Sequence, residues 1–260
     1  MTELTGDILN WLAAGVLFPL MALPLAALAT QSKVKSTGAW AAMVTLLTIA
    51  GVSFVWLTPV LGASLPAMAF IIFAGFVATA AIGIFLSGGA QAITQKLASL
   101  FERITTKTGR AVMWLLLLMA LVQFAVVLLR YVFGINWIFM QESITYMHGF
   151  VFLLAGGYAL LTDDHVRVDI FYREAPPKRK ALTDLVGTYL FLFPICLIIL
   201  WAASPYVARS WLVMEGSADT SGIQGVFILK TLIPAFAVLL SMAGFVIATR
   251  AVDVLKGRGE

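Results

Sequence analysis

Long unbroken apolar runs, each about as long as a bilayer is thick, constrain this chain more than any motif in it. A spanning helix needs roughly 20 mainly apolar residues. About seven such runs are read here: Ile8 to Ala29, Ala39 to Val60, Pro66 to Leu86, Ala111 to Phe133, Ser143 to Leu161, Leu182 to Pro205 and Phe227 to Val252. In lipid only helices and closed barrels satisfy their own backbone hydrogen bonds. The runs are continuous rather than alternating, which selects helices. Pro19 and Pro24 are expected to kink the first. Composition agrees: 61% of the residues are hydrophobic and 12% charged, whereas a soluble chain is about one quarter charged. The expected fold is an all-α integral membrane protein.

The gaps between runs set the orientation. Lys33 and Lys35 follow the first run, and Lys96, Arg103, Lys107 and Arg110 follow the third. Arg167, Arg173, Lys178, Arg179 and Lys180 follow the fifth, and Arg250, Lys256 and Arg258 end the chain. With seven alternating helices these four basic regions share one side. The positive-inside rule then puts the N-terminus out and the C-terminus in. It also accounts for the net charge of +4 without a nucleic-acid partner. The start, Met-Thr-Glu-Leu-Thr-Gly-Asp, has two acids and no base before the first run, so it is not expected to be a cleaved signal.

Residues 91–110 differ from the rest. Ile93, Leu97, Leu100, Phe101 and Ile104 recur at helical spacing among Lys96, Glu102, Arg103 and Lys107. The pattern predicts an amphipathic helix lying in the membrane interface. It divides the chain into a three-helix front part, 1–90, and a four-helix rear part, 111–260. No internal repeat of the kind found in self-sufficient secondary transporters is visible.

Few residues have the character to carry chemistry. Arg130 and Glu142 are symmetric about Asn136 in the turn Phe133-Gly134-Ile135-Asn136-Trp137. A hairpin puts them at similar depth, near the outer interface. One reading is an ion pair that fixes helix register; the other is an ion or substrate site. Their shallow depth favours the first. Arg110 and Asp163/Asp164 are matched in the same way at the other end. His148 lies one to two turns into the fifth run and reads as a packing residue rather than a ligand. Gly149, Gly156 and Gly157 signal close helix approach, at an internal seam or at a subunit interface.

The stretch from His165 through Arg167 and Asp169 to Ile170 alternates polar and apolar and reads as a short interfacial piece, which Pro176-Pro177 ends. No second histidine or cysteine stands near it to hold a metal. Cys196, the single cysteine, makes no internal disulfide. There is no phosphate-binding loop with its lysine and no Ser-His-Asp or Cys-His set. No catalytic activity and no cofactor are expected.

The series Arg130-Tyr131-Val132-Phe133-Gly134, Trp137, Glu142, Gly156 and His165-Val166-Arg167-Val168-Asp169 resembles the small membrane subunit (DctQ-type) of tripartite ATP-independent periplasmic transporters. The match runs from about Thr108 to Val254. With Asp184-Leu185 and Ile233-Pro234 it is similar to the branch labelled for mannitol or chloroaromatic compounds, a label that fixes no solute. The resemblance implies a bacterial or archaeal inner-membrane location. It also implies a large permease partner (DctM-type) holding the sodium and substrate sites, and a periplasmic substrate-binding protein. Arg130, Trp137, Glu142, His148, Gly156, His165, Arg167 and Asp169 are then structural or interface residues of a scaffold. The first three helices depart from the family pattern. The competing reading is the membrane anchor of a redox or respiratory complex, for which His148 and His165 are badly placed as haem ligands.

Overall fold

The computed structural model describes residues 18–29, 90–164 and 172–257. Among them every regular element is helical. They are α1 (Phe18–Met21), α2 (Leu23–Ala29), α3 (Ala90–Val132), α4 (Ile138–Leu161), α5 (Pro177–Gly187), a π turn (Thr188–Leu192), α6 (Phe193–Leu212) and α7 (Val226–Leu255). Four helical stretches are long and apolar enough to cross a membrane: α3, α4, the continuous α5–π–α6 unit and α7. The second and third expected spans, and most of the first, lie outside the described residues.

The expected kink in the first run falls at Ala22, which separates α1 from α2 two residues before Pro24. Proline has no N–H for the carbonyl four residues back, and its ring crowds that carbonyl. A second proline acts differently. Just before Pro194, the Phe193 N–H bonds the Thr188 carbonyl, five residues back instead of four. The ladder widens into a π turn, so the helix continues rather than breaking. Pro205, where the sixth run was expected to end, sits inside α6.

The separate interfacial helix expected over 91–110 is instead the first half of α3, a single helix of 43 residues. At 1.5 Å per residue it is about 65 Å long, twice the roughly 30 Å bilayer core. Its apolar stripe turns toward protein. Ile93, Leu97, Ala98 and Phe101 are buried in one cluster with Met21 and Leu23 of the front segment, Phe193 and Cys196 of α6, and Ala237 and Phe245 of α7. Leu100 and Ile104, expected on that stripe, are exposed. Amphipathic spacing shows that a helix has an apolar face; it does not say whether lipid or another helix covers it.

α7 is the centre of the packing and touches α2, α3, α4, α5 and α6. Most of its apolar length lies inside the protein, whereas little of the corresponding stretch of α3 is fully buried. Three buried hydroxyls return their protons to the carbonyl four residues back: Thr188 to Asp184 at 2.7 Å, Ser241 to Ala237 at 2.7 Å and Thr249 to Phe245 at 2.8 Å. The front segment is tied to this core by side chains donating to its backbone carbonyls. Thr94 Oγ1 reaches Leu23 at 3.5 Å, Tyr189 reaches Met21 and Lys256 reaches Ala27.

Trp114 and Tyr131 are both largely exposed on α3 and lie about 26 Å apart along its axis. Exposed Trp137 sits just beyond, at the start of α4. Aromatic side chains spaced in this way match the two interfacial belts of a spanning helix.

Candidate functional site

The most organised polar site in the described residues is built around Glu142, near the start of α4. Its Oε2 accepts the backbone N–H of Ile223 at 2.6 Å, and its Oε1 accepts the hydroxyl of Ser217. That hydroxyl in turn accepts the Asp219 N–H at 3.1 Å. One turn further along α4, Tyr146 donates to the Ile223 carbonyl at 3.4 Å. Both carboxylate oxygens are thus committed to the loop joining α6 to α7. Gly222 makes this possible: a Cβ there would lie 2.6 Å from each Glu142 oxygen and 2.3 Å from Ser217 Oγ. Any larger residue would have to push these two side-chain ends aside.

The same loop is fastened a second time. Glu215 pairs with Lys230 at 2.5 Å, and the Lys230 ammonium lies 4.0 Å from the centroid of the Tyr206 ring. The hydrogen bond from Lys230 holds the Glu215 carboxyl below its ordinary range. Trp211 Nε1 donates to Thr231 Oγ1 at 2.8 Å, and its ring meets Phe227 edge-on at 4.8 Å. Hydrogen bonds to a charged carboxylate are stronger than neutral ones, so these contacts set the loop's shape. The arrangement fastens the loop to the start of α4. Among the described residues no group of three or more His, Cys, Asp or Glu side chains could hold a metal ion.

The expected pairing of Arg130 with Glu142 is not formed. Arg130 is exposed in the last turn of α3, and Glu142 is taken by Ser217 and Ile223. Equal depth about a turn places two residues at one level; azimuth around the helix decides which neighbour each one meets. Glu142, Gly149 and Gly156 are spaced by seven, which puts them on one face of α4, and that face belongs to α7. A Cβ on Gly149 would meet Leu229 at 2.8 Å, and one on Gly156 would meet Phe236 at 2.7 Å. Beside them, a Cβ on Gly157 would come within 2.8 Å of the Leu239 backbone oxygen. Of the two readings left open for these glycines, the internal seam holds, and the seam is not available to a partner.

His148 lies on the other side of α4, exposed, with its ring stacked on Phe152 at 6.0 Å between centroids and 17° between planes. Trp137 is the exposed N-cap of α4. Arg110 and Asp164 do not pair: Asp164 accepts the Thr162 hydroxyl at 2.5 Å. His165, Arg167 and Asp169 lie outside the described residues. Sequence reasoning missed Tyr146, Ser217, Gly222 and Lys230. The seven-residue spacing of Glu142 with the two glycines was the available signal that Glu142 faced inward.

A bundle of spanning helices wrapped on α7, with interfacial aromatics and its best-ordered carboxylate spent on a loop, defines a multi-pass helical membrane protein. The family model described as "Tripartite ATP-independent periplasmic transporters, DctQ component" matches residues 119–255. The chain belongs to that family. It is therefore an inner-membrane component of a transporter. No curated protein and no solved structure gave a match.

Proposed function

We propose that the chain is a non-catalytic scaffold that braces the large permease subunit (DctM-type) of its transporter. The cargo is an organic acid or related solute, taken up with sodium after delivery by a periplasmic substrate-binding protein. The observation that carries the reading is the two-sidedness of α3. One side is seated on α4, α7 and the front segment. The other exposes Trp114, Leu117, Leu121 and Phe124 along the span. A helix fixed on one side and apolar on the other suits packing against a second membrane protein. Family membership supports both partners, and Glu142 is spent on the protein's own loop rather than on cargo. Arg130, Trp137, His148, Gly156, His165, Arg167 and Asp169 belong, in this reading, to the scaffold and its interfaces.

The proposal retains seven spans, with the N-terminus out and the C-terminus in, and takes residues 1–90 as an extension that enlarges the bracing surface. The clustering of basic groups supports the orientation. Arg250 at the end of α7 bonds Glu102 of α3 at 2.8 Å, which draws the basic start of α3 and the basic C-terminus to one end. Reconstitution into liposomes tests the function: uptake should require the permease, the binding protein and a sodium gradient together. Sodium-driven uptake by this chain alone would falsify the scaffold. Cysteine labelling at Thr5 and Gly259 in intact cells tests the topology; labelling of both from outside rules out the odd number of spans.

A further inference from the structure

Between Arg110 and Arg130 every residue of α3 is aliphatic, aromatic or methionine except Gln123. Gln123 lies about 14 Å from Trp114 and about 12 Å from Tyr131 along the helix axis. It is thus midway between the two aromatic belts, at the centre of the hydrocarbon. Its side chain is exposed, and among the described residues nothing hydrogen-bonds its amide. Lipid offers no donor or acceptor at that depth. A glutamine is too short to reach the headgroups as a snorkelling arginine or lysine does, so an amide left alone there is costly. We infer that the stripe of α3 carrying Gln123 seats a transmembrane helix of the large permease subunit. That helix brings a hydrogen-bonding side chain to Gln123 at mid-depth and a carboxylate to Arg130. The placement rests on the scaffold reading above, and adds which side of α3 the permease meets and what chemistry it presents there.

The spacing of the stripe suits a helix. Leu116, Ala120, Gln123, Val127 and Arg130 follow one another in steps of four and three, the repeat by which two helices pack side by side. All five are exposed. Leu115, Val122 and Leu129, each one residue earlier, point about 100° away and are partly buried; the protein's own packing takes that side and leaves the stripe uncovered. Ala120, one turn from Gln123, lets a second backbone come close. The Gln123 amide both donates and accepts, so a hydroxyl, another amide or a carboxyl satisfies it. Arg130 stands about 10 Å further along the axis, near the α3–α4 turn. It too is unpaired among the described residues, and its charge calls for an acid. A second copy of this chain is a poor occupant: two copies inserted the same way would set Arg130 against Arg130 at one depth. The chain's own runs over 39–60 and 66–86 contain no Asp or Glu to answer that arginine.

Co-purification of the full chain with its permease from detergent-solubilised membranes tests the seat. Gln123→Leu should weaken retention of the permease about fivefold without lowering the melting temperature of the chain purified alone. Arg130→Glu should weaken it as well, and Arg209→Glu, an exposed arginine near the end of α6, should not. A benzoylphenylalanine photocrosslinker at Val127, in membranes holding both proteins, should join the chain to the permease. Wild-type retention in Gln123→Leu, or an equal loss in Arg209→Glu, would overturn the assignment while leaving the scaffold reading in place. So would a lowered melting temperature in Gln123→Leu, because the amide would then have its partner within the chain. A crosslink at Val127 to a second copy, or within the chain, would overturn it too. Failure of the wild type to retain any permease would overturn the scaffold reading with it.

Discussion

Replacing Glu142 separates the loop-fastening role of this carboxylate from a hairpin ion pair. The side chain accepts from Ser217 and from the Ile223 N–H. A hydrogen bond to a charged group is worth about 1.5–3 kcal/mol, so two amount to roughly 3–6 kcal/mol at most. Glu142, Ser217 and Ile223 are only part-buried, and water can replace some of what is lost. Glu142→Ala should therefore cost about 2–3 kcal/mol. Glu142→Gln keeps one acceptor oxygen but turns an amide NH2 toward the other donor, and should cost roughly 1–2 kcal/mol. Arg130 is exposed and makes no bridge to Glu142, so Arg130→Ala should stay within about 0.5 kcal/mol of the wild type. Thermal unfolding in detergent reads all three. Protease cutting within residues 213–225 should rise for the Glu142 variants and not for Arg130→Ala. If Arg130→Ala costs as much as Glu142→Ala, and exchanging the two charges restores stability, the loop assignment is wrong.

Three further outcomes follow from the seam and the loop. Gly157→Leu would drive a side chain into the Leu239 backbone, which cannot retreat without moving α7, and should cost about 3 kcal/mol or more. Gly149→Ala meets only the side-chain tips of Leu229 and Leu232 and should cost less than about 1.5 kcal/mol; equal melting temperatures for the two would deny that the α4–α7 seam is tight. Glu215 has a depressed native pKa, so its contribution is complete above its ordinary value near 4.3 and is lost as pH falls through the lower native one. Wild-type protein should thus lose stability below about pH 4 in a step that Glu215→Gln lacks; parallel melting curves across that range would contradict it. Trp211→Phe removes the bond to Thr231 while keeping the ring contact with Phe227, and should lower stability by about 1 kcal/mol, checked by the same melts.

Much of the membrane character was legible because it depends on what a segment is made of. The run from Phe227 to Val252 became α7 with boundaries one residue earlier and three later. The turn at Gly134 also came through, since a positive φ of 68° there is what glycine readily supplies. The resemblance carried by Arg130 to Gly134 and Glu142 agreed with the family to which the chain belongs. Lengths were less legible: α3 continues through Arg110 and α6 through Pro205, because nothing local stops a helix that tertiary neighbours support at both ends.

The sequence by itself determined that these segments are helical and apolar, that glycines mark a close approach on α4, and that the polar groups gather toward the ends of the spans. Those properties follow from side-chain chemistry and from the periodicity of a single helix. Tertiary structure alone decided which neighbour each face meets. It gave the stripe of residues 93–101 to α7 and the front segment instead of the bilayer, and the Gly149–Gly157 face to α7 instead of a partner. It also turned Glu142 toward Ser217 and Ile223 and away from Arg130. The reason is that spacing along a helix fixes the angle between two side chains, but the rotation of the helix as a whole is set by packing. One residue's rotation is about 100°, enough to carry a carboxylate from one neighbouring helix to the next.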